Sequence, residues 1–111
     1  MMEIREYTTS DGNSPFAHWF NELDAQAAAK VTTALVRMEQ GNFSNVKSVG
    51  AGVSEFRIHF GAGYRVYFGK DGERLVILLA GGTKKRQQRD IEAAQARWTD
   101  YKQRKRPRGE P

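Results

Sequence analysis

Between Asn42 and Gly52 the apolar residues of this chain change their spacing, from every third or fourth position to every second. A chain patterned this way folds as helices packed in one layer against strands in another. On the helical side of the change, Phe16, Trp19, Phe20 and Leu23 follow i, i+3, i+4, i+7, and Ser14-Pro15 supplies an N-cap with Pro in the first turn. Asp24 can cap a second helix whose buried stripe is Ala28, Val31, Leu35 and Met38, with Gly41 as its stop. Together these form an αα-hairpin. A short extended stretch from Met2 to Tyr7 precedes it, and Asn42 to Gly52 reads as a loop.

Beyond the change, Phe56, Ile58 and Phe60 alternate with Glu55, Arg57 and His59, as in a strand packed on one face and open on the other. Gly61-Ala62-Gly63 is a hairpin signal, and Tyr64 to Phe68 forms the return strand, with Arg65 and Tyr67 on one side. Lys70-Asp71-Gly72 turns the chain into Leu75 to Ala80, which is apolar on both sides and belongs mid-sheet or under a helix. Gly81-Gly82 is expected to end that strand. Thr83 is then expected to cap a last helix with the stripe Ile91, Ala94, Trp98 and Tyr101. The order βααβββα predicts an α+β fold: an antiparallel sheet of three to four strands, covered on one face by the αα-hairpin, with a C-terminal helix. Residues 1–104 form a single domain and 105–111 a basic disordered tail. The uncovered sheet face is left to Arg57, His59, Arg65 and Tyr67.

Net charge is +5, but it is unevenly spread. Residues 1–83 carry 8 Lys/Arg against 9 Asp/Glu, whereas residues 84–111 carry 10 against 4. Excess positive charge in the last quarter favours a polyanionic partner, because neutralised phosphates release condensed counterions. An acidic protein partner, or a tail that only aids solubility, is the alternative. The absence of Cys excludes disulfides, thiolate metal sites and cysteine nucleophiles, and fits a reducing cytosol. The longest apolar run, Leu75 to Ala80, is far below the roughly 18 residues of a membrane span, and no signal-peptide core is visible. A soluble, unprocessed, cytoplasmic protein with no membrane partner is expected.

Strand alternation puts Arg57 and His59 on one side, and the hairpin brings Arg65 and Tyr67 alongside at roughly 5 Å. Like charges facing each other cost free energy, so such a surface points to a bound anion, with Glu55 able to pair with one arginine. Lys84, Lys85 and Arg86 follow at the start of the last helix, where free N–H groups also favour phosphate, and Arg89 continues the basic run. No carboxylate cluster, HExxH motif or Cys/His spacing implies a metal, and no cofactor is implied. Phosphoryl chemistry would then be run by side chains, with the RNA 2′-hydroxyl as nucleophile. Arg65 is read as the main charge stabiliser, Arg57 and Lys84 as supporting cations, His59 as general acid or base, and Tyr67 as a base-stacking or phosphate-orienting group. Each has a plainer alternative: His59 as an ordinary surface residue, Arg57 in an ion pair with Glu55 or Asp90, Tyr67 in cross-strand packing.

The segments GVSEFRIHFGAGYRVYF (Gly52 to Phe68) and LVILLAGGTKKRQQRDIEAA (Leu75 to Ala94) resemble the RelE/ParE superfamily of bacterial toxin-antitoxin toxins, in particular the HigB-like branch of phage-derived addiction module killer proteins. The resemblance runs from about Met2 to Tyr101. It implies a RelE-like fold, and an endoribonuclease that cleaves mRNA on the ribosome without metal until an antitoxin neutralises it. It also implies a toxin-antitoxin hetero-oligomer whose antitoxin is a helix-turn-helix DNA-binding protein. By the same resemblance Arg57, His59, Arg65, Lys84 and Asp90 are the catalytic set, while Tyr67, Lys85, Arg86 and Arg89 are expected from their placement to bind RNA. The chain departs from the branch in carrying Thr83-Lys84-Lys85-Arg86 where Asp-Lys-Ser-Thr or similar is usual. A gyrase inhibitor of the ParE kind and a noncatalytic RNA-binding module are the competing readings.

Overall fold

A computed structural model describes residues 1–105 of the chain. Its elements are β1 (Glu3–Glu6), α1 (Pro15–Asn21), α2 (Ala25–Glu39), β2 (Val46–Gly50), β3 (Val53–Ile58), β4 (Tyr64–Asp71), β5 (Leu75–Thr83), a 3-10 turn (Lys84–Arg86) and α3 (Gln87–Lys105). The local signals act as their chemistry requires. Ser14 Oγ accepts from the Ala17 N–H at 3.0 Å and Asp24 Oδ1 from the Ala27 N–H at 2.9 Å, satisfying donors that each helix start leaves unpaired. Gly41 takes φ +82° just past α2, a conformation that disfavours a side chain. The buried stripe of α2 is Ala27, Val31, Ala34 and Met38, so the helix is turned slightly from the expected Ala28 and Leu35.

The sheet has five strands in the order β1-β5-β4-β3-β2, with β1 parallel to β5 and every other pair antiparallel. The α+β class is as expected, but the expectation of three to four strands is corrected by β2, which pairs with β3 in place of the expected loop. Its segment VKSVG presents only Val46 and Val49 inward, too sparse a pattern to announce an edge strand. A signal was nevertheless present. Gly50-Ala51-Gly52 repeats the Gly-Ala-Gly of the next hairpin, and its residues take φ of +94°, +57° and +83° to close the β2–β3 turn.

The second correction concerns the open face. α1 and α2 cover one side of the sheet, burying Phe16, Val31 and Met38 against Phe56, Val66, Phe68 and Leu78. α3 covers the other, where Ala94 and Trp98 pack on Val53, Tyr67, Ile77 and Leu79. The stripe on α3 is therefore the roof of a second core, and burying Trp98 alone contributes about 3–5 kcal/mol by the usual cost of truncating a core aromatic. Gly81 and Gly82 do not end β5 but lie inside it. A Cβ at Gly81 would fall 2.1 Å from the Trp19 ring on one face, and a Cβ at Gly82 2.0 Å from Asp90 Oδ2 on the other, so both helical layers reach the backbone here. Thr83 makes no side-chain cap; the 3-10 turn intervenes and α3 begins at Gln87, running through Lys105. The rest of the expected basic tail lies outside the described residues. Among the described residues, no helix is long and apolar enough to cross a membrane.

Candidate functional site

The β3–β4 hairpin leaves a cleft of about 450 Å³ at the sheet end, walled by Arg57, His59, Phe60, Tyr64, Arg65 and Lys84 among others. Hairpin closure sets Arg57 directly opposite Arg65 in the ladder, and the backbone N–H of Lys84 donates to the Gly63 carbonyl at 3.1 Å, tying the 3-10 turn to the hairpin. Two facing guanidinium groups repel each other, and the structure shows what holds them. Glu55, two residues before Arg57 and fully buried, accepts from Arg57 Nε at 2.7 Å through Oε2, while its Oε1 lies 3.5 Å from Arg65 Nε. Gln87, the first residue of α3, donates to the same Oε1 at 3.3 Å. One carboxylate against two guanidiniums leaves a net positive charge, and because that carboxylate is beneath the cleft, the wall seen from solvent is cationic.

The expected set divides. Arg57, His59, Arg65 and Lys84 line one cleft, with His59 and Lys84 exposed, Arg57 partly exposed and Arg65 only 8% exposed. Lys85, Arg86 and Arg89 are exposed on the turn and first helical residues that follow Lys84. Tyr67 and Asp90 depart from expectation. Tyr67 is fully buried beneath α3, so the expectation that it stacks a base on an open face is corrected; its hydroxyl is pushed up to about 12 by burial and by Glu55 and Asp90. Asp90 lines a separate cavity of about 680 Å³ between α1 and α3, with Arg97 and His18. Partial burial over Gly82 raises its carboxyl from the ordinary value, against the pull of Arg86, Arg89 and Arg97.

Two aromatic walls were not singled out from sequence. Phe60 and Tyr64 stack with ring centroids 6.4 Å apart and planes 24° from parallel, and Trp19 supports Tyr64 from α1 at 6.5 Å. Their place in the alternation marks them as core residues, and only the end of the sheet, where the helical layer stops short, leaves them half-exposed.

What this arrangement can do follows from its parts: fixed guanidiniums for nonbridging phosphate oxygens, an imidazole of ordinary access to solvent for proton transfer, and aromatic surfaces for a base. The chain is 44% identical over 80 residues to an uncharacterized protein of Haemophilus influenzae, an alignment covering 71% of this chain and 81% of that protein. Residues 18–99, which include both cationic strands and most of α3, match the model of the phage-derived protein Gp49-like family, and the chain belongs to that family.

Proposed function

We propose that the chain is the toxin of a type II toxin-antitoxin module, of the RelE/ParE kind and HigB-like branch, acting as a metal-independent endoribonuclease on ribosome-bound mRNA. The observation that carries this reading is the in-register Arg57 and Arg65 pair, held from below by buried Glu55 and opening beside His59 and Lys84. Membership in a phage-derived family supports it. In the reaction, the 2′-oxygen bonds to phosphorus as the bond from phosphorus to the 5′-oxygen breaks, leaving a 2′,3′-cyclic phosphate and a 5′-hydroxyl. Arg57 and Arg65 stabilise the charge that builds on the nonbridging oxygens, where preorganised donors act most strongly. His59 takes the 2′-hydroxyl proton or supplies one to the leaving 5′-oxygen, water exchanging the proton at the other oxygen, and Lys84 holds the phosphate from the other wall. Asp90 and Tyr67 act at most through the position of α3 and the sheet, since neither lines the cleft. The partner is a helix-turn-helix antitoxin, held with the toxin in a hetero-oligomer, and the compartment is the cytoplasm.

Primer extension on mRNA from induced cells, comparing translated with naked transcript, tests the reading. Discrete cuts confined to translated message are expected, and they should vanish in H59A and K84A, which change exposed side chains and leave stability within about 0.5 kcal/mol. Intact mRNA accompanied by gyrase-linked DNA breaks would overturn it in favour of a gyrase poison, and RNA binding without cuts in favour of a noncatalytic module.

A further inference from the structure

The cleft is one arm of a larger cationic groove. Two further hollows, of about 260 and 230 Å³, also have Arg57 and His59 in their walls. One runs along α2 past Lys30 and Arg37; the other crosses the start of β2 at Asn45 and Lys47. All three therefore meet at Arg57 and His59. Among the described residues no Asp or Glu lines any of them, and Glu55 is sealed beneath. The junction is built. The Arg57 backbone N–H donates to the Asn45 carbonyl at 3.2 Å, fixing the β2 arm to the β3 strand, and Lys30 Nζ sits 5.3 Å from the centre of the Phe60 ring, fixing the α2 arm to the cleft wall.

We infer that Lys30, Arg37 and Lys47 form a phosphate track that carries the RNA strand away from the Arg57 and Arg65 cleft, over the β2 edge and along α2. This extends the nuclease reading above and rests on it for the identity of the polyanion. Lys30 and Arg37 are seven residues apart on one helix, roughly 10 Å along its axis, too far to grip a single phosphate. With Lys47 on the second arm, the spacing suits successive phosphates of one strand. A protein partner would instead need apolar anchors at the centre of its footprint. Among the described residues the exposed large hydrophobics are Met1 and Val36, neither of which lines the groove, whereas half-exposed Phe60 and Tyr64 offer faces on which bases stack.

The test is fluorescence anisotropy of the full chain with a fully 2′-O-methylated single-stranded RNA of about 12 nucleotides, which binds without being cut, titrated from 50 to 200 mM salt. Each phosphate contact contributes about 0.7 to the slope of log affinity against log salt for a single strand, so K30A/R37A/K47A should lower the slope by about 2. Over that salt range the wild type then loses about 20-fold more affinity than the variant. A 2′-O-methylated dinucleotide with one phosphate, filling only the cleft, should bind both alike. The control K70A/R74A/K102A, with the same net charge but changes at the far end of β4 and on α3, should keep the wild-type slope. An unchanged slope in K30A/R37A/K47A overturns the track, as does an equal loss in the control, or loss of antitoxin binding with RNA binding intact. If the slope falls but no mRNA is cut in cells, the track stands and the nuclease reading fails; if mRNA is cut and the slope is unchanged, the track alone fails.

Discussion

Replacing Glu55 by Gln removes one negative charge from a fully buried position while keeping the side chain's shape. Its two partners are unequal: the Arg57 side chain is 37% exposed and the Arg65 side chain 10%. Removing one member of a buried ion pair costs about 3–5 kcal/mol, because the remaining charge stays desolvated and unpaired. Solvent screens the Arg57 arm and reduces its share. The buried Arg65 arm remains, so the lower end, about 3 kcal/mol, is the expected loss. For a domain near this size each kcal/mol moves Tm by about 4 °C, which gives a Tm roughly 12 °C lower by circular dichroism at neutral pH. R65M, which places an apolar chain of similar length in the site, should lose stability alone, since it leaves Glu55 with Arg57 only. E55Q/R65M should lose less than the sum of the single changes, with a coupling above about 1 kcal/mol. E55Q should also cut RNA about 100-fold more slowly, since a small misplacement of the two arginines is enough to disturb the reacting geometry. A Tm drop below about 3 °C, or strictly additive single and double variants, would refute the claim that Glu55 holds the two guanidiniums.

Tyr67→Phe deletes a hydroxyl that, among the described residues, is buried without a hydrogen-bond partner; the urea midpoint should stay level or rise by the equivalent of about 1 kcal/mol, and RNA cleavage should not change. A loss of stability would mean that the hydroxyl is satisfied. Gly69→Ala would put a Cβ 2.5–2.6 Å from three atoms of the Trp98 indole, so α3 must shift, lowering stability by about 1–3 kcal/mol and altering tryptophan fluorescence; wild-type stability would sink the packing account. Two carboxyls should titrate with opposite sign. Hydrogen bonds from Lys105 and then Tyr101 hold Asp71 below the ordinary 3.8, so its contribution is present above that value and lost as pH falls through the depressed one. D71N should therefore be less stable than wild type near pH 7, with the gap closing in acid. Burial raises Asp90 above 3.8, so its favourable contribution holds at low pH and is lost as pH rises through the raised value. D90N should be the more stable protein near pH 7 and equal to wild type below about 3.8; pH-dependent urea melts showing the reverse order would refute both assignments.

The cationic pair was legible because hairpin geometry is local. Once Gly61 and Gly63 close the turn, alternation alone fixes that Arg57 meets Arg65, and Lys84 follows within a few residues of the same sheet end. Tyr67 shares that alternation with Arg65, yet it lies one pair further from the turn, where α3 reaches the sheet. The spacing that placed both on one face cannot say where along the strand the covering helix begins. Asp90 enters the expected set only through the family resemblance, which carries no geometry, and the path of α3 turns its carboxylate toward Gly82 and the α1 side.

The sequence by itself determined the helix starts at Ser14-Pro15 and Asp24, the stop at Gly41, the β3–β4 hairpin and the juxtaposition of its arginines. Each depends on hydrogen bonds or steric limits among residues only a few positions apart. Tertiary structure alone decided that α3 roofs the second sheet face, that β2 extends the sheet, and that Glu55 ends up under both arginines and Gln87, 32 residues away. These are choices between faces and edges that the local pattern leaves equivalent. They are settled only when distant apolar stripes compete to leave water and a buried carboxylate must find cations to offset its desolvation.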